Sequence, residues 1–220
     1  MEREIGMSPS GCDQAWPRSI LALFLLALLL AGGCSRLPRI IVLSDPLNAA
    51  EHVELGVAYE RKGELDLARR EYERALRKDG KFYRARVNLG NIFLAKKEYG
   101  KAREEYLLAL DLRPGDADAT NNLSWAAIFS GEGIDEALSR MESVVSGPGG
   151  RRPVLLDTLG VLRMRANHPG TAEEAFAMAE ALCRQAGAAP REGVDSDAPC
   201  PEEVLREIGD HREELRRRFP

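Results

Sequence analysis

The side chains best suited to acid–base, nucleophilic or metal chemistry in this 220-residue chain are three histidines and four cysteines. His52, His168 and His211 lie at a predicted helix start, in a turn and on the last predicted helix. No serine or cysteine is placed to act with them as a nucleophile. The sequence contains no CxxC or HExxH metal motif and no glycine-rich phosphate loop. We therefore predict a protein that is not an enzyme and has no catalytic site, metal site, cofactor or small-molecule substrate.

Cys34 is the cysteine whose surroundings indicate a modification. An uncharged run of twelve residues, Ile20 to Ala31, follows Arg18. This run is shorter than the roughly 20 apolar residues that span a bilayer, and it fits the apolar region of a secretory signal. The sequence LAGGC, which ends at Cys34, resembles the bacterial lipobox, where a signal peptidase cleaves before the cysteine and the thiol receives diacylglycerol. This resemblance implies a signal peptide over residues 1–33 and a lipid on Cys34; plain secretion or an uncleaved anchor is the alternative.

The other cysteines divide at the predicted cleavage site. Cys12 would be removed with the signal, which leaves Cys183 and Cys200 in an oxidising compartment. A disulfide between them would close a loop of about 16 residues and stabilise the fold by about 3 kcal/mol on the chain-entropy estimate. Two unpaired thiols are the alternative, since spacing alone does not show the geometry.

The elements that position these residues come from a repeat of 34 residues. Small residues, which let two antiparallel helices approach closely, alternate with aromatic residues, which we expect to fill the space between one helix pair and the next. The six matching positions are Leu55, Gly56, Tyr59, Ala68, Tyr72 and Ala75 in the first copy, and Leu89, Gly90, Phe93, Ala102, Tyr106 and Ala109 in the second. The period and the residue order resemble the tetratricopeptide repeat, a helix-turn-helix unit.

This resemblance implies an all-α, right-handed superhelix (an α-solenoid) of about four helix pairs. A third, degenerate repeat is expected to carry an insertion in its turn at residues 131–133, and a fourth restores the signature with Gly160 and Phe176. The predicted segments are a lipidated tether 34–48, a repeat domain 49–186 with repeats at 49–82, 83–116, 117–152 and 153–186, a flexible loop 187–200, and a capping helix 201–220.

The capping helix is predicted from one apolar face. Its residues recur at helical spacing, and such a helix closes the exposed core at the end of a repeat array. They are Val204, Ile208, His211, Leu215 and Phe219.

The same resemblance places a peptide-binding groove on the first helix of each pair. Amide side chains there could bond an extended backbone of any sequence, because each offers a donor and an acceptor. The predicted groove residues are Arg84, Asn88, Asn91, Asn121, Asn122, Trp125, Ile128, Phe129 and Met164. Two simpler interpretations stay open: Asn121 and Asn122 cap a helix, or Trp125 fills the core.

The resemblance to lipoproteins and to repeat scaffolds together gives the expected function. A formal charge of -4 argues against nucleic acid as a partner. Ser35 replaces the aspartate that retains many lipoproteins in the inner membrane, so the periplasmic face of the outer membrane is favoured. The chain resembles adaptor lipoproteins of pilus assembly and murein hydrolysis, which implies binding of envelope proteins.

Two other functions stay open. The segment 42–47 resembles the junction in some C39-like cysteine peptidases, so the chain could be the accessory subunit of such a peptidase system. A purely structural scaffold without a selective groove is the other. The sequence does not show which partner is bound, whether the chain oligomerises, or whether translation starts at Met1 or Met7.

Overall fold

The computed structural model describes residues 45–188 and 200–220, without the side chains of residues 186–188. The predicted signal peptide, Cys34 and nearly all of the predicted tether lie outside the described residues. So do residues 189–199, most of the predicted flexible loop. All described helices belong to one compact unit, Pro46–Pro220.

The described part of the chain contains nine helices and no strand, as the repeat pattern predicts. None of these helices has the length and apolarity needed to cross a membrane. In chain order they are α1 (Ala49–Arg61), α2 (Leu65–Lys78), α3 (Tyr83–Ala95), α4 (Tyr99–Leu112), α5 (Ala117–Ser130), α6 (Ile134–Ser146), α7 (Pro153–Arg165), α8 (Pro169–Ala188) and α9 (Glu202–Arg218).

Helices α1 to α8 form four helix pairs, each joined by a three-residue turn. The third turn, residues 131–133, is no longer than the others, so the expected insertion there is wrong. The added length lies instead in α5, which has 14 residues where α1, α3 and α7 have 13, and in the six-residue link 147–152.

The arrangement of the pairs is that of a solenoid. Helix α5 contacts both α3 and α7, whereas the second helices of successive described pairs make no comparable contact with one another. The first helices therefore lie on the inner side of the array and the second helices on the outer side. The predicted groove residues lie on this inner side, because they belong to the first helices of the pairs.

Close packing inside each pair depends on a glycine under an aromatic ring. A Cβ atom added to Gly90 would lie 2.5 Å from Cε1 of Tyr106, and the equivalent distance from Gly56 to Tyr72 is 2.4 Å. Gly160 and Phe176 repeat the arrangement in the fourth pair. Each second-helix ring therefore covers the glycine of its own pair, a contact that the expected filling of the space between pairs does not include. The hydroxyl of Tyr72 also reaches Asn88 of the next pair.

The last helix closes the array, as its apolar face predicts. Ile208 and Leu215 are buried, and Val204, His211 and Phe219 are partly buried on the same face. Helix α9 packs against both α8 and α7. The structure also places Cys183 beside Cys200, with Cα atoms 4.9 Å apart, a separation that a disulfide requires.

Candidate functional site

The candidate site is the inner surface formed by α3 and α5 at the middle of the array. Asn88 and Asn91 lie on α3, Asn121 and Asn122 lie on α5, and all four side chains are partly exposed. The structure thus brings together the four asparagines that the repeat register predicts.

Asn91 is held by two hydrogen bonds within the protein. Its Oδ1 accepts from the hydroxyl of Tyr106 at 2.8 Å and from Nδ2 of Asn122 at 3.0 Å. Burial raises the pKa of Tyr106 above its usual range, so the hydroxyl stays protonated and remains a donor. This contact joins α4, α3 and α5 and fixes the orientation of Asn91.

Asn121 is fixed by the next helix pair. Its Oδ1 accepts a hydrogen bond of 2.8 Å from Oγ1 of Thr158, which is buried on α7. Neither Nδ2 of Asn121 nor Oδ1 of Asn122 has a hydrogen-bond partner among the described residues. One amide donor and one amide acceptor are therefore oriented by internal bonds and still available to a ligand.

The first helix turn of α5 shows that these two asparagines do not cap it. Asp116 is the capping residue, and its Oδ1 accepts from the backbone N–H of Ala119 at 2.9 Å. The capping interpretation of Asn121 and Asn122 is therefore wrong.

The side chain of Asn88 has fewer hydrogen-bonding groups left for a ligand, because it bonds a tyrosine of the preceding pair. It hydrogen-bonds the hydroxyl of Tyr72, which also donates to a carboxylate oxygen of Glu60. Burial and the Glu60 carboxylate raise the pKa of Tyr72 above its usual range, so this hydroxyl also stays protonated.

Ion pairs lie near the amino-terminal ends of the inner helices. The guanidinium of Arg84, a predicted groove residue, is 2.9 Å from Oε1 of Glu54. Arg152 makes a similar contact with Asp118 two repeats further along, between the third and fourth pairs, at 2.8 Å. Exposed pairs of this kind contribute little stability, typically below about 1 kcal/mol, so a charged ligand could replace either partner.

An aromatic cluster lies towards the carboxyl-terminal end of α5, beyond the asparagines as seen from these ion pairs. Phe129 is 55% exposed, and its ring centroid is 5.4 Å from that of Tyr99 and 5.5 Å from that of Trp125. Trp125 is partly exposed, and so it is not a core-filling residue. Ile128 is half-buried and packs against core residues, so only part of its side chain is open to the groove.

Met164 differs from the other predicted groove residues. It is fully buried, in a cluster with Val161, Phe176 and Ile208. Helix α9 packs against α7 at this point, so Met164 contacts the chain's own last helix and is not accessible to a ligand. The groove that is open therefore lies on α3 and α5 and stops at α7.

Comparison with known proteins supports the architecture. Residues 42–117 match the family profile of the tetratricopeptide repeat. The chain aligns with MamA from Desulfovibrio magneticus RS-1 with a TM-score of 0.57 and 21% identity, over 62% of this chain and 76% of that one. The fold is an all-α solenoid whose first two helix pairs match the tetratricopeptide repeat. No curated protein sequence matches the chain.

A second solved structure shows a similar architecture. In the APC/C hetero-tetramer Cut9–Hcn1, the alignment covers 90% of this chain but 34% of the other, with a TM-score of 0.60 and 19% identity. At this identity the likeness establishes the fold.

Several contacts of the repeat surface are not visible in the sequence. Thr158 bonds Asn121, and Nδ1 of His211 lies 2.9 Å from Oδ2 of Asp157. The sequence places Asp157 and Thr158 on the inner side of α7, and it places His211 on the inward face of α9. It contains no signal for which surface α9 covers.

Proposed function

We propose that this chain is a non-enzymatic lipoprotein adaptor that binds an extended peptide segment of another cell-envelope protein across α3 and α5. The observation that carries the proposal is the free amide donor of Asn121 and the free amide acceptor of Asn122, beside the exposed ring of Phe129. These groups match the two chemical features of an extended peptide, a polar backbone and an apolar side chain.

The geometry favours a peptide over a small molecule. The amide groups recognise backbone N–H and C=O groups and select no particular side chain. The Trp125, Phe129 and Tyr99 rings form an open apolar surface, where a buried side chain contributes about 25 cal/mol per Å² of apolar area. Selectivity would come from the aromatic cluster, since the amide contacts are independent of sequence.

Membrane attachment is the second part of the proposal. A lipid on Cys34 and a tether over residues 34–48 would hold the repeats close to the membrane, because the tether spans at most about 50 Å when extended. Two or three acyl chains anchor a protein stably without further membrane contact. We place the protein at the periplasmic face of the outer membrane.

Scaffolding without catalysis is the third part. Among residues 45–188 and 200–220, no group of three histidine, cysteine or acidic side chains could hold a metal ion. Nδ1 of His52 lies 2.8 Å from Oε2 of Glu71 in the core, and His211 bonds Asp157. Both contacts have a structural explanation.

The test uses two exposed apolar residues on opposite sides of the array. A partner is first captured by crosslinking in cells and identified. Phe129→Ala should then weaken its binding at least tenfold, because an exposed inner-surface ring is lost. Leu108→Ala is the matched control, since Leu108 is 43% exposed on the outer helix α4. Weaker binding by the Leu108 variant alone would place the site on the outer surface and refute the proposal.

A further inference from the structure

Helix α9 occupies inner-surface positions of α7 whose equivalents on α3 and α5 are partly exposed. Asp157, Val161 and Met164 of α7 correspond in the repeat register to Asn121, Trp125 and Ile128 of α5. The α5 residues are partly exposed, whereas Asp157, Val161 and Met164 are all buried. The difference is the helix packed against them, so α9 lies at the fourth-repeat end of the groove.

The polar contacts of α9 join basic residues of this helix to acidic residues of α7 and α8. His211 bonds Asp157 of α7, with Nδ1 2.9 Å from Oδ2. Arg212 contacts Glu173 and Glu180 of α8, with Nε 3.1 Å from Oε1 of Glu173. The surface that α9 covers is therefore acidic where it meets the basic pair, with Asp157 on the inner helix α7 facing His211 and two glutamates of α8 facing Arg212.

The apolar contacts of α9 centre on two buried residues, with partly buried apolar residues packed around them. Ile208 and Leu215 are its only buried residues in the described structure, one on each side of the basic pair. The ring of His211 lies between two aromatic residues, with centroids 6.2 Å from Trp125 and 6.0 Å from Phe176. Through Trp125, the position of α9 is linked directly to the open part of the groove.

We propose that the fourth-repeat end of the groove is a helix-binding site that α9 occupies in cis, and that the partner class it fits is an amphipathic helix carrying a basic pair between two apolar residues. Such a helix would replace α9 and extend the binding surface from α5 to α7. The proposal rests on the proposed function in one respect, namely that this site continues the peptide groove.

The contact between His211 and Asp157 makes the cis occupancy dependent on pH. The hydrogen bond to Asp157 raises the pKa of His211, burial opposes this, and the charges of Glu214 and Glu207 raise it further. Arg165 of α7 also faces α9 and pairs with Glu214, while Glu173 and Glu180 of α8 pair with Arg212. The bond therefore stabilises docked α9 fully below about pH 6.5, the usual histidine value, and is lost as pH rises through the raised pKa.

The first experiment measures amide hydrogen exchange of the full-length chain in detergent, corrected for the intrinsic rate at each pH. We expect α9 amides to exchange faster at pH 8 than at pH 6, while the exchange of α7 and α8 amides stays unchanged. His211→Ala and Asp157→Asn should abolish this difference. Glu213→Gln, at an exposed position of α9, is the control and should retain it. If the amides of α7, α8 and α9 exchanged at the same rate and responded to pH in the same way, the proposal would be overturned, since α9 would then be an inseparable part of the core.

The second experiment tests the site with a defined probe, a labelled synthetic peptide of residues 201–220. It should bind full-length His211→Ala at least tenfold more tightly than wild type, because the attached α9 then competes less well. A peptide with serine in place of Ile208 and Leu215 should not bind. Equal binding to both chains, or binding to neither, would refute the helix site. Neither experiment uses the envelope partner that is proposed to bind α3 and α5, so a failure of the proposed peptide function leaves both results unchanged and is distinguishable from a failure here.

Discussion

At the scale of single residues, the glycines of the inner helices determine how closely each pair packs. Because Gly90 lies under the ring of Tyr106, the missing side chain is a requirement of packing and not of backbone conformation. The repeat signature predicts a small residue at this position. It does not show which ring covers the glycine, because a spacing of 16 residues is compatible with packing within a pair or between pairs.

Gly90→Ala tests this packing. Alanine favours a helix over glycine by about 1 kcal/mol, but a Cβ atom 2.5 Å from the Tyr106 ring forces repacking that typically costs about 1–3 kcal/mol. We expect a net loss of stability, measured as a lower urea midpoint. Gly100→Ala is the control, since a Cβ there meets nothing within 4 Å, and its midpoint should stay unchanged or rise. An unchanged midpoint for Gly90→Ala would show that the ring moves freely.

At the scale of elements, the sequence predicts most helices but not all of their contacts. Asn48 caps α1, where Glu51 donates its backbone N–H to Oδ1 of Asn48 at 3.0 Å. The apolar stripe of α9 is also confirmed. The spacing of apolar residues identifies the face of a helix that packs, but it does not show which surface that face covers. For this reason the sequence predicts Met164 in the groove, although α9 buries it.

The contact between Cys183 and Cys200 predicts a disulfide that stabilises the chain next to the start of α9. These residues are 17 apart in sequence, and a disulfide closing a loop of this size contributes about 3 kcal/mol on the chain-entropy estimate. Cys200→Ser should therefore lower the stability of the oxidised chain by about this amount, as measured by urea unfolding without reductant. Peptide mapping by mass spectrometry should show the two cysteines linked in the wild type. Two free thiols after air oxidation would contradict the prediction.

At the scale of the whole molecule, we propose that the repeats form a receptor surface and that a lipidated amino-terminal segment determines where it acts. The lipid on Cys34 is predicted only from the lipobox-like sequence that ends at this residue, since Cys34 lies outside the described residues. The groove was assigned from the register of the repeats, which places Asn121 and Trp125 correctly on the inner surface. The register could not predict that α9 closes one end, because that contact joins residues 54 positions apart, Asp157 and His211.

Cys34→Ser tests the membrane attachment. Without the thiol no thioether to diacylglycerol can form, and the protein should lose its stable anchor. We expect the wild type in the outer-membrane fraction and a large loss of the variant from all membrane fractions. Metabolic labelling with a fatty acid should mark the wild type only. An unchanged distribution of the variant would contradict lipid anchoring at this residue.

The central claim, that the inner surface binds a protein segment, is tested most directly by site-specific photocrosslinking in cells. A photoreactive phenylalanine analogue is placed at Phe129 on the inner surface or at Leu108 on the outer surface of the otherwise native chain. We predict one defined protein adduct from position 129, absent from position 108 and reduced at least tenfold by Asn122→Ala. The same adduct from position 108 alone, or an adduct from position 129 that Asn122→Ala leaves unchanged, would contradict the account.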